Sequence, residues 1–162
     1  MTKTPLLLAA IAGLAATAAI AQTAPAPAEF VKKAGASDLY EQQSSRLVLA
    51  TTQDAKIRAF ATQMIADHEK STGMVKTAAT QSGVTPMPPK LEPKQAKMIA
   101  DLQKANGKAR DTAYVTQQKA AHQEALALHR SYAASGTAPA LKTAAGQIVP
   151  VVEHHAHMLQ SM

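Results

Sequence analysis

Imidazole can ligate a metal or carry a proton, and this chain holds six of them: His68, His122, His129, His154, His155 and His157. Three stand out by position. His68, His122 and His155 each fall on the apolar stripe expected of a different helical stretch, and Glu41 lies near the inner face of a fourth, seven residues before Val48. One polar, metal-competent side chain per helix is therefore expected to point inward. Counted from the nearest turn, near Thr52 for the first pair and Gly136 for the second, Glu41 is about 11 residues away, His68 about 16, His122 about 14 and His155 about 19. At about 1.5 Å per residue all four lie within about 12 Å along a common axis.

Imidazole ligands suit zinc, copper, iron or nickel, and a neighbouring carboxylate, Asp67 or Glu41, would complete or orient the set. The candidate metal site is thus Glu41, Asp67, His68, His122 and His155, with zinc, copper or iron as the cofactor. The same residues allow a second reading without metal. Histidines hydrogen-bonded to Asp67, Glu41, Gln118 or one another would form a polar layer that sets helix register. Met64/His68 and His154/Met158 are each four apart, a thioether and imidazole pairing that favours copper(I), although methionine at helical spacing also serves as core filler. The tail His154-His155-Ala156-His157 could take up nickel or copper adventitiously.

Motifs for other chemistry are missing. There is no Glu-x-x-His of the carboxylate-bridged di-iron bundles, no Gly-x-Ser-x-Gly elbow, no phosphate-cradling glycine loop and no His-Glu-x-x-His. No catalytic residue is assigned, and an enzyme reading has no positive support; a metal-dependent redox or peroxide-handling activity is the weakest of the three readings.

The elements that must position these side chains are helices. From Glu29 onward the chain is rich in Ala, Gln, Lys, Leu and Met, with no period-two stretch long enough for a strand. The first stretch runs from Glu29 to about Thr51, open to a break near Gly35 with Ser37 as a cap. The second runs from Asp54 to before Gly83, with Ile57, Ala61, Met64, His68, Val75 and Ala79 inward. The prolines of VTPMPPKLEP keep residues 84–93 from being helical throughout, and a short helix, Pro93 to Ala105, follows. A third long helix runs from Asn106-Gly107 to about Ala134, with Tyr114, Gln118, Ala121, His122, Ala125 and His129 inward. A fourth runs from Pro139 to the end, with a kink or restart expected at Pro150. The expected fold is an all-α four-helix bundle with a long connection, containing a short helix, between helices 2 and 3.

Composition narrows the setting. Lys3, the apolar run Leu6 to Ile20 and the small residues before Gln22 have the order of a secretory signal peptide, residues 1–21, cleaved after Ala21, which makes the protein periplasmic or secreted. Residues 22–28 (QTAPAPA) read as a Pro/Ala spacer, and residues 29–162 as one domain. The chain has no cysteine, so disulfides, thiolate metal sites and lipid attachment through a lipobox cysteine are excluded. The signal removes one lysine and no acid, so the formal charge of +6 becomes +5. Export and the five scattered aromatics argue against a nucleic-acid partner, and the charge reads as a solvated face, with weak contact to acidic envelope surfaces as the lesser alternative. No membrane-spanning segment is expected after cleavage, and the oligomeric state is left open.

The stretches FVKKAGASDLYEQQSSRLVLA, KIRAFATQMIADHEKST, AYVTQQKAAHQEALALH and IVPVVEHHAHM, in this order, resemble an exported bacterial family, domain of unknown function 4142, from about Glu29 to Met162. The resemblance implies a ferritin-like helical bundle in the periplasm or at the outer membrane. It places the family's recurrent polar residues on Glu41, Asp67, His68, His122 and His155, and gives none to His129, where the family more often has an aromatic or apolar residue. It implies no activity, since a ferritin-like fold does not license iron storage. N-terminal sequencing of the exported protein is expected to begin at Gln22; a mature chain still carrying Lys3 would contradict the cleavage site.

Overall fold

A proline at the first helical position opens α1 (Pro27–Leu49), its missing N–H being one of those a helix end leaves unbonded anyway. The computed structural model describes residues 24–162, so the expected signal peptide and the first two spacer residues lie outside the described residues. The helix starts two residues ahead of Glu29. It also runs unbroken through Gly35 and Ser37, neither of which ends or caps a segment. Gly35 has a different use: a Cβ there would come within 3.3 Å of Pro89 Cβ, so the glycine lets the proline-rich connection pass close to α1.

The second helix, α2 (Ala55–Gln81), starts where the Asp54 carboxylate accepts from the N–H groups of Lys56 and Ile57. It ends on Gly83, whose φ of 70° turns the chain so that its own N–H and that of Val84 return to the carbonyls of Thr80 and Ala79. Residues 84–92 are not helical, in keeping with their prolines. A short α3 (Pro93–Lys104) follows, its entry held by the Gln95 side chain accepting from the Glu92 N–H. The last two are α4 (Gly107–Ser135) and α5 (Pro139–Gln160). At Pro150 the expected restart does not occur, and α5 is one helix. Both Pro150 and Gly146, whose carbonyl loses its bond, are exposed, so water can serve that carbonyl. The described residues are all-α, with five helices and no strand.

Four long helices close a ring: α1 packs on α2 and α4, and α5 on α2 and α4, while α3 lies against α1 and α4. Short turns make α1/α2 and α4/α5 antiparallel pairs. Arg110, near the start of α4, donates to the Leu47 carbonyl near the end of α1, so α4 runs back along α1 and in the same direction as α2. The connection from Ser82 to Asn106 must therefore travel the length of the molecule, and α3 makes that journey against the outside of α1 and α4.

Apolar packing forms two separate clusters. One, toward the start of α1, gathers Phe30, Val75, Tyr132, Leu141 and Ile148; the other, toward its end, gathers Val48, Phe60, Met64, Leu102, Tyr114 and Leu159. On every long helix the residues between the two clusters include buried polar ones.

Arg110 fastens the second end. Its buried guanidinium donates to the carbonyls of Leu102, Ala105 and Leu47, to Thr51 Oγ1 and to Asn106 Oδ1, tying the terminal carbonyls of α1 and α3 to α4. Arg110→Met keeps most of the volume and removes every donor, which is expected to cost about 3 kcal/mol in urea unfolding. Arg110→Lys should recover only part of that loss. An unchanged unfolding midpoint in Arg110→Met would show that these contacts carry no weight.

Candidate metal centre

Helical spacing puts the polar layer together. Asp38, Glu41 and Ser45 recur at three and four residues on α1, His68 and Ser71 on α2, and Gln118 and His122 on α4, with His155 alone on α5. All eight are buried. The layer therefore occupies the level that separates the two apolar clusters.

Each histidine is held from behind by one ring nitrogen. His68 Nδ1 lies 2.8 Å from Asp38 Oδ1, His155 Nε2 lies 2.9 Å from Asp67 Oδ2, and His122 Nδ1 lies 3.0 Å from the Gln118 carbonyl. Carboxylates and carbonyls accept, so in the neutral rings these nitrogens carry the hydrogen, and the other nitrogen of each ring is a bare acceptor. Those acceptors, His68 Nε2, His122 Nε2 and His155 Nδ1, have no hydrogen-bond partner. The rings crowd together, with centroids 5.9 Å apart for His68 and His122, 5.7 Å for His68 and His155, and 5.4 Å for His122 and His155. One nitrogen from each ring lies within 4.8 Å of the other two. A point that close to all three is no more than about 2.8 Å from each (4.8 Å/√3), so closing to the metal–nitrogen length of about 2.0–2.1 Å takes less than about 1 Å per ring. The buried triad could hold a metal ion.

Of the five residues picked out in the sequence, three converge and two stand outside. Asp67 sits behind His155, its side chain 32% exposed. Glu41 Oε1 is 3.7 Å from His122 Nδ1, on the edge of that ring bearing the Gln118 contact, and neither Glu41 oxygen makes a well-formed hydrogen bond. Sequence reasoning missed Asp38, which takes the place beside His68. The signal was there: Asp38 lies three residues before Glu41, on the same stripe. His129 is buried, its ring edge-on to Phe30 at 5.5 Å, and its Nδ1 is unpartnered. Met64 packs in the apolar cluster with Phe60.

Burial sets the charge states. It pushes the His122 pKa down to about 3, the charges of His68 and His155 adding to the effect and the Gln118 carbonyl opposing it. It pushes His155 and His129 down to about 4, against the Asp67 hydrogen bond in the first case and the Asp38 charge in the second. For His68 burial also acts downward, but the Asp38 hydrogen bond and the charges of Glu41, Asp38 and Asp67 outweigh it, and the net shift is upward. Burial raises Glu41 to about 7, with His68 and Gln118 pulling it back. At neutral pH His122 and His155 are thus already in the unprotonated form that a metal requires.

The chain belongs to the family described as Domain of unknown function (DUF4142), which matches residues 12–162. No curated protein matches it. Its fold is similar to that of a DUF305 fragment from Deinococcus radiodurans, with a TM-score of 0.72 and 16% identity over 86% of this chain and 95% of that one. It is also similar to the "putative secreted protein DUF305" of Streptomyces coelicolor, with a TM-score of 0.69 and 15% identity over 82% of this chain and 87% of that one. At these identities the likeness concerns the fold.

The shifts make stability depend on pH in a definite sense. His122, His155 and His129 titrate lower in the fold than in the unfolded chain, so the stability they contribute is present above about pH 6.5 and lost as pH falls. Glu41, raised to about 7, acts oppositely, costing stability as pH rises from about 4.5 to 7. His68, also raised, favours the fold below about pH 6.5 and loses that contribution only as pH climbs through its folded value. Three histidines against one carboxyl give net proton uptake on unfolding between about pH 6.5 and 4.5. Chelator-treated protein is therefore expected to show a falling urea midpoint over that window, with a shallower fall in His122→Gln. A midpoint that holds or rises would contradict buried neutral histidines.

Proposed function

We propose that this family member is an exported protein whose bundle holds one transition-metal ion on His68, His122 and His155, the ion being zinc, copper or iron. A single observation carries the reading. Three buried rings bring one nitrogen each within 4.8 Å of the other two, and each ring keeps one nitrogen without a protein partner while the other is held by Asp38, Asp67 or the Gln118 carbonyl. Acceptors without donors call for a cation, and a carboxylate or carbonyl behind each ligating ring is the usual support of a metal-bound histidine. Seven of the ten buried side-chain nitrogen and oxygen atoms without a partner in the protein belong to this layer.

The ligand chemistry follows from the residues. Three neutral imidazoles carry no charge, so Asp38, Asp67 and Glu41 supply the negative charge that balances a divalent cation. His68, whose pKa is raised, binds in its neutral form. Glu41 stands beside His122 as the nearest source of a fourth ligand once its side chain rotates. Three nitrogens leave room for an exchangeable ligand, as in sites that keep an open position. With no catalytic residue assigned, the reading is of binding and not turnover. Export rests on residues 1–21, and no described helix is long and apolar enough to cross a membrane.

A second reading has its own observation. Ser45 Oγ and Tyr114 Oη are 2.8 Å apart, and Gln118 Nε2 donates to Ser44 Oγ at 3.1 Å, so polar contacts join α1 to α4 at this level without any metal. On that view the layer specifies register alone.

The two readings separate on adding metal. Tag-free protein is expected to bind one equivalent, with zinc, copper or iron at about 100 times Kd adding about 2.7 kcal/mol and a melting temperature higher by several degrees. His68→Gln/His122→Gln should abolish both effects. Parent protein that binds no stoichiometric metal and melts unchanged would leave the register reading.

A further inference from the structure

The triad is buried, so an ion must have a way in. Asp38, Glu41, His68, His122 and His155 are all 4% exposed or less. Phe60 lies over two of the rings, with centroids 6.1 Å from His122 and 6.4 Å from His155. Two hollows on the surface, one lined by Lys33, Tyr40 and Met98 and one by Gly73, Ala144 and Gln147, are lined by none of the three histidines. Asp67 differs from the rest: its Oδ2 bonds His155 inside while a third of the side chain meets solvent.

Helical phase adds a partner. At about 100° per residue, His154 shares a side of α5 with Thr143 and Gln147, which line a hollow together with Gly73 and Thr77 of α2, so it falls on the flank toward α2 and Asp67. His154 is exposed, and its ring centroid lies 6.3 Å from that of His155. The same count turns His157 outward, about 200° from His155, and it too is exposed. The cluster of tail histidines thus divides into one ligand, one flanking residue and one outward residue.

We infer that Asp67 and His154 form an entry site that captures a hydrated transition-metal cation and passes it to the triad past His155. The inference rests on the metal-binding reading above. A carboxylate and an imidazole at the mouth replace part of the hydration shell before the ion reaches the buried nitrogens, and His155, bonded to Asp67, is the ligand nearest that mouth. An entry site acts on the rates of arrival and departure together. A residue that only steadies a bound ligand acts on departure and therefore on affinity.

Stopped-flow uptake of cobalt(II) by tag-free protein, with release measured into excess chelator, tests this. His154→Ala is expected to slow both uptake and release about tenfold, with one cobalt still bound and Kd within about threefold of the parent. Asp67→Asn should slow uptake at least as much, and His157→Ala should leave both rates at the parent value. Parent-like rates in His154→Ala and Asp67→Asn, with cobalt still bound, would overturn the entry site and leave the metal centre standing. Slower release alone would overturn it in favour of a steadying role. A parent that takes up no cobalt would remove both the entry site and the reading on which it rests.

Discussion

A buried imidazole can satisfy one ring nitrogen within its own protein and must still account for the other. That constraint organises this molecule at three places at once. Asp38, Asp67 and the Gln118 carbonyl take the outer nitrogens of His68, His155 and His122, and fix which atom faces inward. A lone pair left without a donor in an apolar interior costs free energy comparable to a lost hydrogen bond, and here three such pairs face one another. An arrangement that concentrates this cost at one level needs a compensating occupant or a compensating role.

The surrounding structure keeps that level buried and in register. Apolar clusters close it from above and below, Phe60 covers two of its rings, and the Ser45–Tyr114 and Gln118–Ser44 contacts join α1 to α4 across it. Farther out, Arg110 gathers the carbonyl ends of α1 and α3 at the start of α4, which fixes how far α4 slides along α1. Since His122 sits twelve residues beyond Arg110 on the same helix, that latch also sets the height at which His122 meets His68. Burial then sorts the charges, depressing His122 and His155, while the Asp38 hydrogen bond and the charges of Glu41, Asp38 and Asp67 raise His68.

Much of the architecture was legible in the chain. Asp54 as the start of the second helix, Gly83 as its stop, Pro93 and Pro139 as further starts and the proline-rich connection are local devices that act on their own few residues. The misreadings were local rules applied without their setting. Gly35 left α1 open to a break that does not occur, since a glycine can equally mark a close approach, here to Pro89. At Pro150 a kink or a restart of α5 was expected; the helix does not restart, and on that solvent-facing side the orphaned carbonyl has water available.

The sequence by itself determined that four helices each bury a polar, ligand-competent residue at a similar height, because periodicity dictates which side chains share a face and rise per residue dictates depth. Which carboxylate serves which histidine was decided only by the tertiary structure. Glu41 and Asp38 share a stripe on α1, and a rotation of that helix by a fraction of a turn would exchange them; side-chain packing between α1 and α2 sets that rotation, and it puts Asp38 on His68 and leaves Glu41 beside His122. The convergence of the three inner nitrogens has the same origin. It depends on distances between helices far apart in the chain, which no local pattern records.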